Sequence, residues 1–150
     1  RGRMTSIDDN SVQCQFILEP TEDQTRQIVE LYRSQGWWLA CDEGREKMIP
    51  RLIVGSHCFV IATDGERIVG MGRAISDSVS DAYIQDLTVR QDCRNRGIGN
   101  MILTVLLERL HDDGIAWIGL IAEPGSKNLY LRAGFSEMSE AIPMLMIEEP

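Results

Sequence analysis

The chain has 150 residues, 43% of them hydrophobic and 25% charged, with a formal net charge of −8. Such a length and composition belong to a soluble globular protein with a core of its own. The acidic balance argues against nucleic acid as a partner, because a phosphate backbone needs a broad basic surface. The longest apolar run, residues 115–122, is far too short to cross a bilayer, so no membrane association is expected. Residues 1–10 are polar and show no signal-peptide pattern. Met4 reads as a start, which makes residues 4–150 a single domain. Cys14, Cys41, Cys58 and Cys93 lie far apart without a Cys-x-x-Cys pair. Neither a metal site nor disulfides are expected, and the expected compartment is a reducing cytoplasm.

Val12, Cys14, Phe16 and Leu18 alternate loosely and predict a first strand, which Pro20 ends. Thr21 followed by Glu22 and Asp23 marks a helix start, with an oxygen-bearing cap and acids in the first turn. Ile28, Leu31 and Tyr32 give that helix a buried face, and it breaks near Gly36. Trp37 and Trp38 follow, as a core plug or as the wall of a pocket. Asp42 is the expected cap of a second helix with Met48, Leu52 and Ile53 on its apolar face, Pro50 inside it and Gly55 at its end. Residues 58–63 and 67–75 predict two strands around an Asp64-Gly65 hairpin signal. Residues 77–81 form a polar turn.

Residues 83–89 are rich in β-branched and aromatic side chains and predict a strand. From Ile98 the period changes. Ile98, Met101, Ile102, Val105, Leu106 and Leu110 recur at three- and four-residue steps, opposite a polar stripe of Asn100, Thr104, Glu108 and His111. That pattern is an amphipathic helix ending near Gly114. Residues 115–122 predict a strand covered on both faces and parallel to the previous one. Glu123-Pro124-Gly125 breaks it. Ser126 caps a short helix running through Arg132 and closed by Gly134. Two more strands are expected, one from Phe135 and a last one at Met144-Leu145-Met146-Ile147.

The turn between residues 83–89 and the long helix is suited to an anion. The first N–H groups of a helix have no partner inside it, the helix dipole is positive there, and Arg90, Arg94 and Arg96 add full charges. The Walker loop is excluded, since Gly97-Ile98-Gly99-Asn100 lacks Gly-Lys-Ser/Thr. The dinucleotide fingerprint is excluded because Ile102 stands where a third glycine or alanine is needed. The pattern that fits is Arg-x-x-Gly-x-Gly, filled by Arg94, Gly97 and Gly99. A second motif follows the 115–122 run, with Asn128 and then Tyr-x-x-x-Gly-Phe through Tyr130, Gly134 and Phe135.

Together these motifs resemble the acetyl-CoA signature of the GNAT superfamily of N-acetyltransferases. The resemblance is specific from Tyr83 to Phe135. It implies a mixed α+β fold with a mostly antiparallel central sheet of about six to seven strands and four flanking helices. It also implies that the fourth and fifth strands splay so that the pantetheine arm of the cosubstrate, acetyl-CoA, enters between them. On this reading the main chain of Leu87, Thr88 and Val89 binds that arm. The N–H groups of Arg94, Asn95, Arg96, Gly97, Ile98, Gly99 and Asn100 hold the pyrophosphate. Asn128 reaches the cosubstrate and Tyr130 its sulfur.

The chemistry follows from these roles. An amine attacking a thioester releases a thiolate that needs a proton, and a tyrosine with a pKa near ~10 can donate one at neutral pH. The other reading of Tyr130 is a ring that packs the sheet. Asp86 is the nearest carboxylate for a base; it equally reads as a buried carboxylate bonded to a neighbouring loop, with water as the base. Residues 83–89 also resemble the matching strand of glucosamine-phosphate N-acetyltransferases, but Gln85 replaces one acid. Alternation puts Tyr83 and Gln85 on the face opposite Asp86 unless a bulge intervenes. Trp37, Trp38, Tyr83, Gln85 and Met144 are the candidate acceptor pocket. His57 and His111 have no catalytic setting.

The expected activity is therefore direct transfer of acetyl to a primary amine of a small molecule, without a covalent enzyme intermediate. Acetylation of a protein lysine or N-terminus, and a non-catalytic acetyl-CoA-binding module, are the alternatives. A homodimer is common in the superfamily and is a further expectation.

Overall fold

The computed structural model describes residues 11–38 and 44–148. The chain divides into two compact units, Arg1–Leu120 and Ile121–Pro150.

The first unit runs β1 (Val12–Phe16), α1 (Glu22–Ser34), a 3₁₀ turn (Arg45–Met48), α2 (Ile49–Gly55), β2 (Cys58–Asp64), β3 (Arg67–Ser76), β4 (Asp81–Val89), a second 3₁₀ turn (Gln91–Cys93), α3 (Ile98–Asp112) and β5 (Trp117–Gly119). The sheet order is β1-β2-β3-β4-β5. Pairing is antiparallel from β1 to β4 and parallel between β4 and β5. The β2–β3 hairpin turns on Gly65-Glu66, with Asp64 paired to Arg67 as the last strand residues. Gly65 takes the positive φ, 61°, that such a tight turn demands.

Helix α1 begins where its cap predicts. Thr21 Oγ1 accepts from the Gln24 N–H (3.1 Å), and Gln24 Oε1 accepts from the Thr21 N–H (2.9 Å), a closed capping box. Its buried Ile28, Val29, Leu31 and Tyr32 pack with Ile49 and Ile53 of α2 and with Phe59, Ile61, Ile68 and Met71 of the sheet. The proposed cap Asp42 lies outside the described residues. Ordinary α-helical bonding starts at Ile49, so Pro50 falls in the first turn, where its missing N–H costs nothing. Met48 precedes the helix and is 47% exposed; Ile49 takes the buried place instead.

Helix α3 covers the other face. Ile98, Ile102, Leu106 and Leu110 of the predicted stripe are buried; Leu103, outside it, is buried too, and Met101 and Val105 are half-buried. The helix sits so close to β3 that a Cβ on Gly70 would lie 2.8 Å from Ile102 Cδ1 and 3.0 Å from the Thr88 carbonyl oxygen. Strand β5 is shorter than its apolar run. Its ladder with β4 covers only Asp81↔Trp117, Ala82↔Ile118 and Tyr83↔Gly119, so β4 from Ile84 to Val89 has no β5 partner. The run is not covered on both faces, as expected from its composition: Trp117 is 41% and Ile121 70% exposed.

In the second unit α4 (Lys127–Arg132) is the short helix expected after Ser126. The Ser126 hydroxyl donates to the Glu123 carbonyl (2.7 Å) instead of capping the helix. Gly134 (φ 101°) turns the chain after it. The strands expected at Phe135 and at Met144-Leu145-Met146-Ile147 do not form, so the sheet has five strands among the described residues and not six to seven. A strand exists only where a neighbour satisfies its N–H and C=O groups. No strand pairing is formed by this segment among the described residues, Glu140 turns it with φ 62°, and Pro143 has no N–H to give.

No helix among the described residues is long and apolar enough to cross a membrane. Cys14, Cys58 and Cys93 are free thiols, and Cys41 lies outside the described residues. No group of three or more His, Cys, Asp or Glu side chains among the described residues is placed to hold a metal ion.

Gly70→Ala tests the α3–β3 approach. Overpacking against an unyielding carbonyl outweighs the entropic gain of alanine, so a loss of about 1–2 kcal/mol is expected in urea unfolding, with the slope unchanged. An unchanged midpoint would contradict the close contact.

Candidate active site

The predicted anchor strand carries an irregularity that no periodicity reveals. Met71 pairs with Thr88 and Arg73 with Gln85; between these pairs lies one residue on β3, Gly72, and two on β4, Asp86 and Leu87. This is a β-bulge, with Asp86 in the left-handed region at φ 57°. Aspartate tolerates that conformation better than most residues, at a cost of roughly 1–2 kcal/mol. Gly72 faces α3, where a Cβ would meet Ile102 Cγ2 at 2.9 Å.

Two elements hold the bulge. Tyr32 Oη of α1 donates to Asp86 Oδ2 (2.7 Å), and Arg73 Nε of β3 donates to the same oxygen (2.6 Å). Arg73 also reaches Ser56 Oγ (3.3 Å) and Gln85 Oε1 (3.5 Å). The bulge thus brings Gln85 and Asp86 to one guanidinium, although simple alternation sets them on opposite faces. Burial, and then the charge of Asp86, push the Tyr32 phenol well above its usual pKa. Tyr32 and Arg73 were not candidates from the motifs. The signal available was an arginine inside an apolar strand and an aspartate inside the next, with a tyrosine hydroxyl on a buried helix face that needs a partner.

Beyond the bulge, Thr88 is buried and Leu87 and Val89 half-buried. The Arg94 Nε donates back to the Val89 carbonyl (3.3 Å). Arg90, counted as an anion ligand by charge alone, pairs with Asp92 (3.4 Å). Asp92 also binds Arg67, whose hydrogen bond pulls its carboxyl down to about 2. Asn95 (φ 63°) and Gly97 (φ 78°) are both left-handed, and nothing lies within 4 Å of where a Gly97 Cβ would point. The first i→i−4 bond here is Met101 N–H to Gly97 C=O, so the N–H groups of Ile98, Gly99 and Asn100 precede the helical ladder. An open glycine, unpaired amides and the dipole of a 15-residue helix suit an anion such as a diphosphate.

The candidate acceptor residues separate. Trp37 and Trp38 pack against the α1 core. Trp38 stacks on Tyr32 (4.2 Å, 9°) with the Arg45 guanidinium 5.2 Å over its ring, so it is a packing element in the first place. Tyr83 is 46% exposed and leans on Trp117 across the β4–β5 ladder (5.3 Å).

In the second unit Tyr130 is buried, with Phe135 edge-on at 5.9 Å. Burial, and then Glu123, raise its pKa, so the phenol is protonated at neutral pH and able to donate. Asn128, two residues earlier on α4, is exposed, and Met144 is 89% exposed.

Tyr32→Phe removes one hydrogen bond to a carboxylate and is expected to cost about 1–2 kcal/mol of stability at pH 7. Because folding raises this phenol's pKa, its contribution is complete below the unfolded value of ~10 and is lost as pH rises beyond it. The stability gap between the two proteins should therefore narrow above pH ~10. A gap that is absent, or that widens there, would contradict the Tyr32–Asp86 bond.

The comparisons with known proteins bear on this geometry. A family model for the acetyltransferase (GNAT) domain matches residues 42–144. An uncharacterized N-acetyltransferase ycf52 of Porphyra purpurea is 35% identical over 69 residues, 46% of this chain and 40% of that protein. The serotonin N-acetyltransferase 2, chloroplastic, of Oryza sativa subsp. japonica is 33% identical over 76 residues, 51% of this chain and 38% of that protein. The matched stretch thus spans about two fifths of those relatives' length. A predicted acetyltransferase from Clostridium acetobutylicum, solved with acetyl-CoA, shares the fold with a TM-score of 0.68 at 16% identity, covering 89% of this chain and 96% of that one. With the family match running through more than half of its length, the chain belongs to the GNAT acetyltransferases.

Proposed function

We propose that this protein transfers the acetyl group of acetyl-CoA to a primary amine of a small molecule by direct attack. The observation that carries the proposal is the β4–α3 turn. There an open left-handed glycine and three N–H groups outside the helical ladder follow directly on a strand that its parallel neighbour leaves after Tyr83. Acetyl-CoA supplies an activated thioester. In this reading the main chain of Leu87, Thr88 and Val89 takes the place of a strand partner along the pantetheine amides. The amides from Arg94, Asn95 and Arg96 through Gly97, Ile98, Gly99 and Asn100 neutralise the diphosphate, with Asn128 assisting. Acetyl-CoA bound to a neighbour of the same fold supports the choice of cosubstrate.

Tyr130 is the proposed acid. Its raised pKa keeps the proton available for a departing thiolate. Asp86 is the proposed acceptor of the amine's proton, directly or through water. Both of its bonds end on Oδ2, and no described residue hydrogen-bonds Oδ1. Tyr83 and Gln85 of β4 are the proposed acceptor-facing residues of the first unit, with Trp37 and Trp38 contributing through their packing around Tyr32. A small amine is supported by the rice relative, whose name specifies serotonin.

A thiol-release assay with acetyl-CoA across a panel of small amines and lysine peptides tests this. Turnover with at least one small amine, and weaker or none with peptides, is expected. Peptides alone as acceptors would overturn the substrate class, and no turnover with any amine would overturn the activity. In the same assay Tyr130→Phe should lower kcat by roughly a hundredfold while acetyl-CoA affinity stays within about twofold; an unchanged kcat would remove the acid role.

A further inference from the structure

One corner of the sheet in the first unit carries large apolar side chains in the open. On β3, Met71 packs in the α1 core and Arg73 is bonded to Asp86, but Ile75, the next residue on that face, is 38% exposed. Ile75 pairs with Tyr83 of β4, and Tyr83 pairs in turn with Gly119 of β5. Trp117, two residues before Gly119, turns its ring to Tyr83 with centroids 5.3 Å apart. Both rings lie over Gly119: a Cβ there would stand 2.7 Å from Trp117 Cη2 and 3.4 Å from Tyr83 Cε1. A cross-strand aromatic pair stabilises a sheet by itself, but it needs no glycine under it. Glycine inside a strand weakens the strand and marks a place of close approach. Here it lets two large rings lie down as an apolar floor that stays half exposed.

The same face is polar at its other end. Gln85 follows Tyr83 by two strand positions, roughly 7 Å along β4. Simple alternation would turn Asp86 to the opposite face. The bulge returns its carboxylate to the Arg73 guanidinium, which also reaches Gln85 Oε1 (3.5 Å). The apolar floor and the carboxylate therefore share one face, a single strand step apart.

We infer that the Tyr83–Trp117 floor, flanked by Ile75, binds the aromatic ring of the acceptor, so that the substrate class is an arylalkylamine, a ring joined to a primary amine by a short alkyl chain. The inference rests on the acetyl-transfer reading above and names its acceptor. An ammonium at Asp86 Oδ1 leaves the rest of the molecule to run back along β4 toward the rings. The two rings are tilted by 59°, so a third ring finds a face and an edge to pack against. A sugar amine would meet no hydrogen-bonding side chain for its hydroxyls at Ile75 or Gly119. A second ammonium, as in a diamine, would sit over one ring and leave Ile75 and the other ring in water. Trp117 and Gly119 are thus specificity positions that no cosubstrate motif contains.

Thiol release from acetyl-CoA with phenethylamine, tryptamine, butylamine, glucosamine and spermidine tests it. The kcat/KM for phenethylamine should exceed that for butylamine by at least about tenfold, with most of the difference in KM. Trp117→Ala should erase most of that ratio and Trp117→Phe should keep it. Gly119→Ala should reduce it as well, by lifting both rings without removing either. The ratio separates the subsite from a general loss of fold, which would lower both amines alike. A preference for butylamine, glucosamine or spermidine, or a ratio indifferent to Trp117→Ala, would overturn the inference and leave acetyl transfer standing. Amide chemical-shift mapping of the wild-type chain with phenethylamine alone gives a readout that needs neither turnover nor a variant. Changes should centre on Tyr83, Gln85 and Gly119; changes centred elsewhere, or none at millimolar amine, would overturn the inference. Should no amine be turned over, acetyl transfer fails, and this map alone decides whether the floor binds a ring.

Discussion

The site depends on one carboxylate oxygen. Asp86 Oδ2 receives Tyr32 from α1 and Arg73 from β3, and in doing so fixes a residue whose backbone would otherwise relax out of the left-handed region. Each bond alone is an ordinary charge-assisted hydrogen bond. Together they join helix, strand and bulge at a single point. The bulge changes the direction of β4 where β5 has already parted from it, and it rotates the main chain of Leu87 relative to the residues before it. Gly72 on the opposite strand leaves room for α3 behind the bulge. A side chain there would push the helix, and with it the amides of Ile98, Gly99 and Asn100.

The proposed role of Asp86 pulls against its structural one. As an anchor it is held by a guanidinium and a phenol on one oxygen. As the proposed proton acceptor it would have to offer the other oxygen to an ammonium group. The two are compatible only because the bonds converge on Oδ2. The stacked Trp38, with Arg45 above it, belongs to the anchoring side, since it packs on the ring of Tyr32. Tyr130 is a different kind of group. Burial, and then the charge of Glu123, hold its proton, as the proposed donor role requires.

What the amino-acid order revealed follows the physics of short range. The capping box at Thr21, the amphipathic stripe of α3 and the glycines at 65, 97, 114 and 134 are local features, and each stands where periodicity and turn chemistry put it. The parallel partnership of β4 and β5 followed from a strand, a helix and a short return. The bulge was not legible, because a register shift shows itself only when two strands are laid side by side. Tyr32 and Arg73 were missed for the same reason: they are 54 and 13 residues from Asp86. The last two strands were read from apolar content, which signals a wish for burial but does not say where the covering surface is. Among the described residues no strand is assigned from 135 to 148, and the apolar side chains of 144–147 are exposed. Residues 39–43, between Trp38 and the second helix, lie outside what the structure describes, and so does the predicted cap at Asp42.

The central claim is that the amides at the start of α3 and along the end of β4 receive the cosubstrate. Amide chemical-shift mapping with added coenzyme A tests it most directly, because it reports position without requiring an acceptor amine. The largest changes should fall on Ile98, Gly99 and Asn100, with a second group at Leu87, Thr88 and Val89. Saturable changes centred elsewhere in the chain, or none at millimolar coenzyme A, would contradict it.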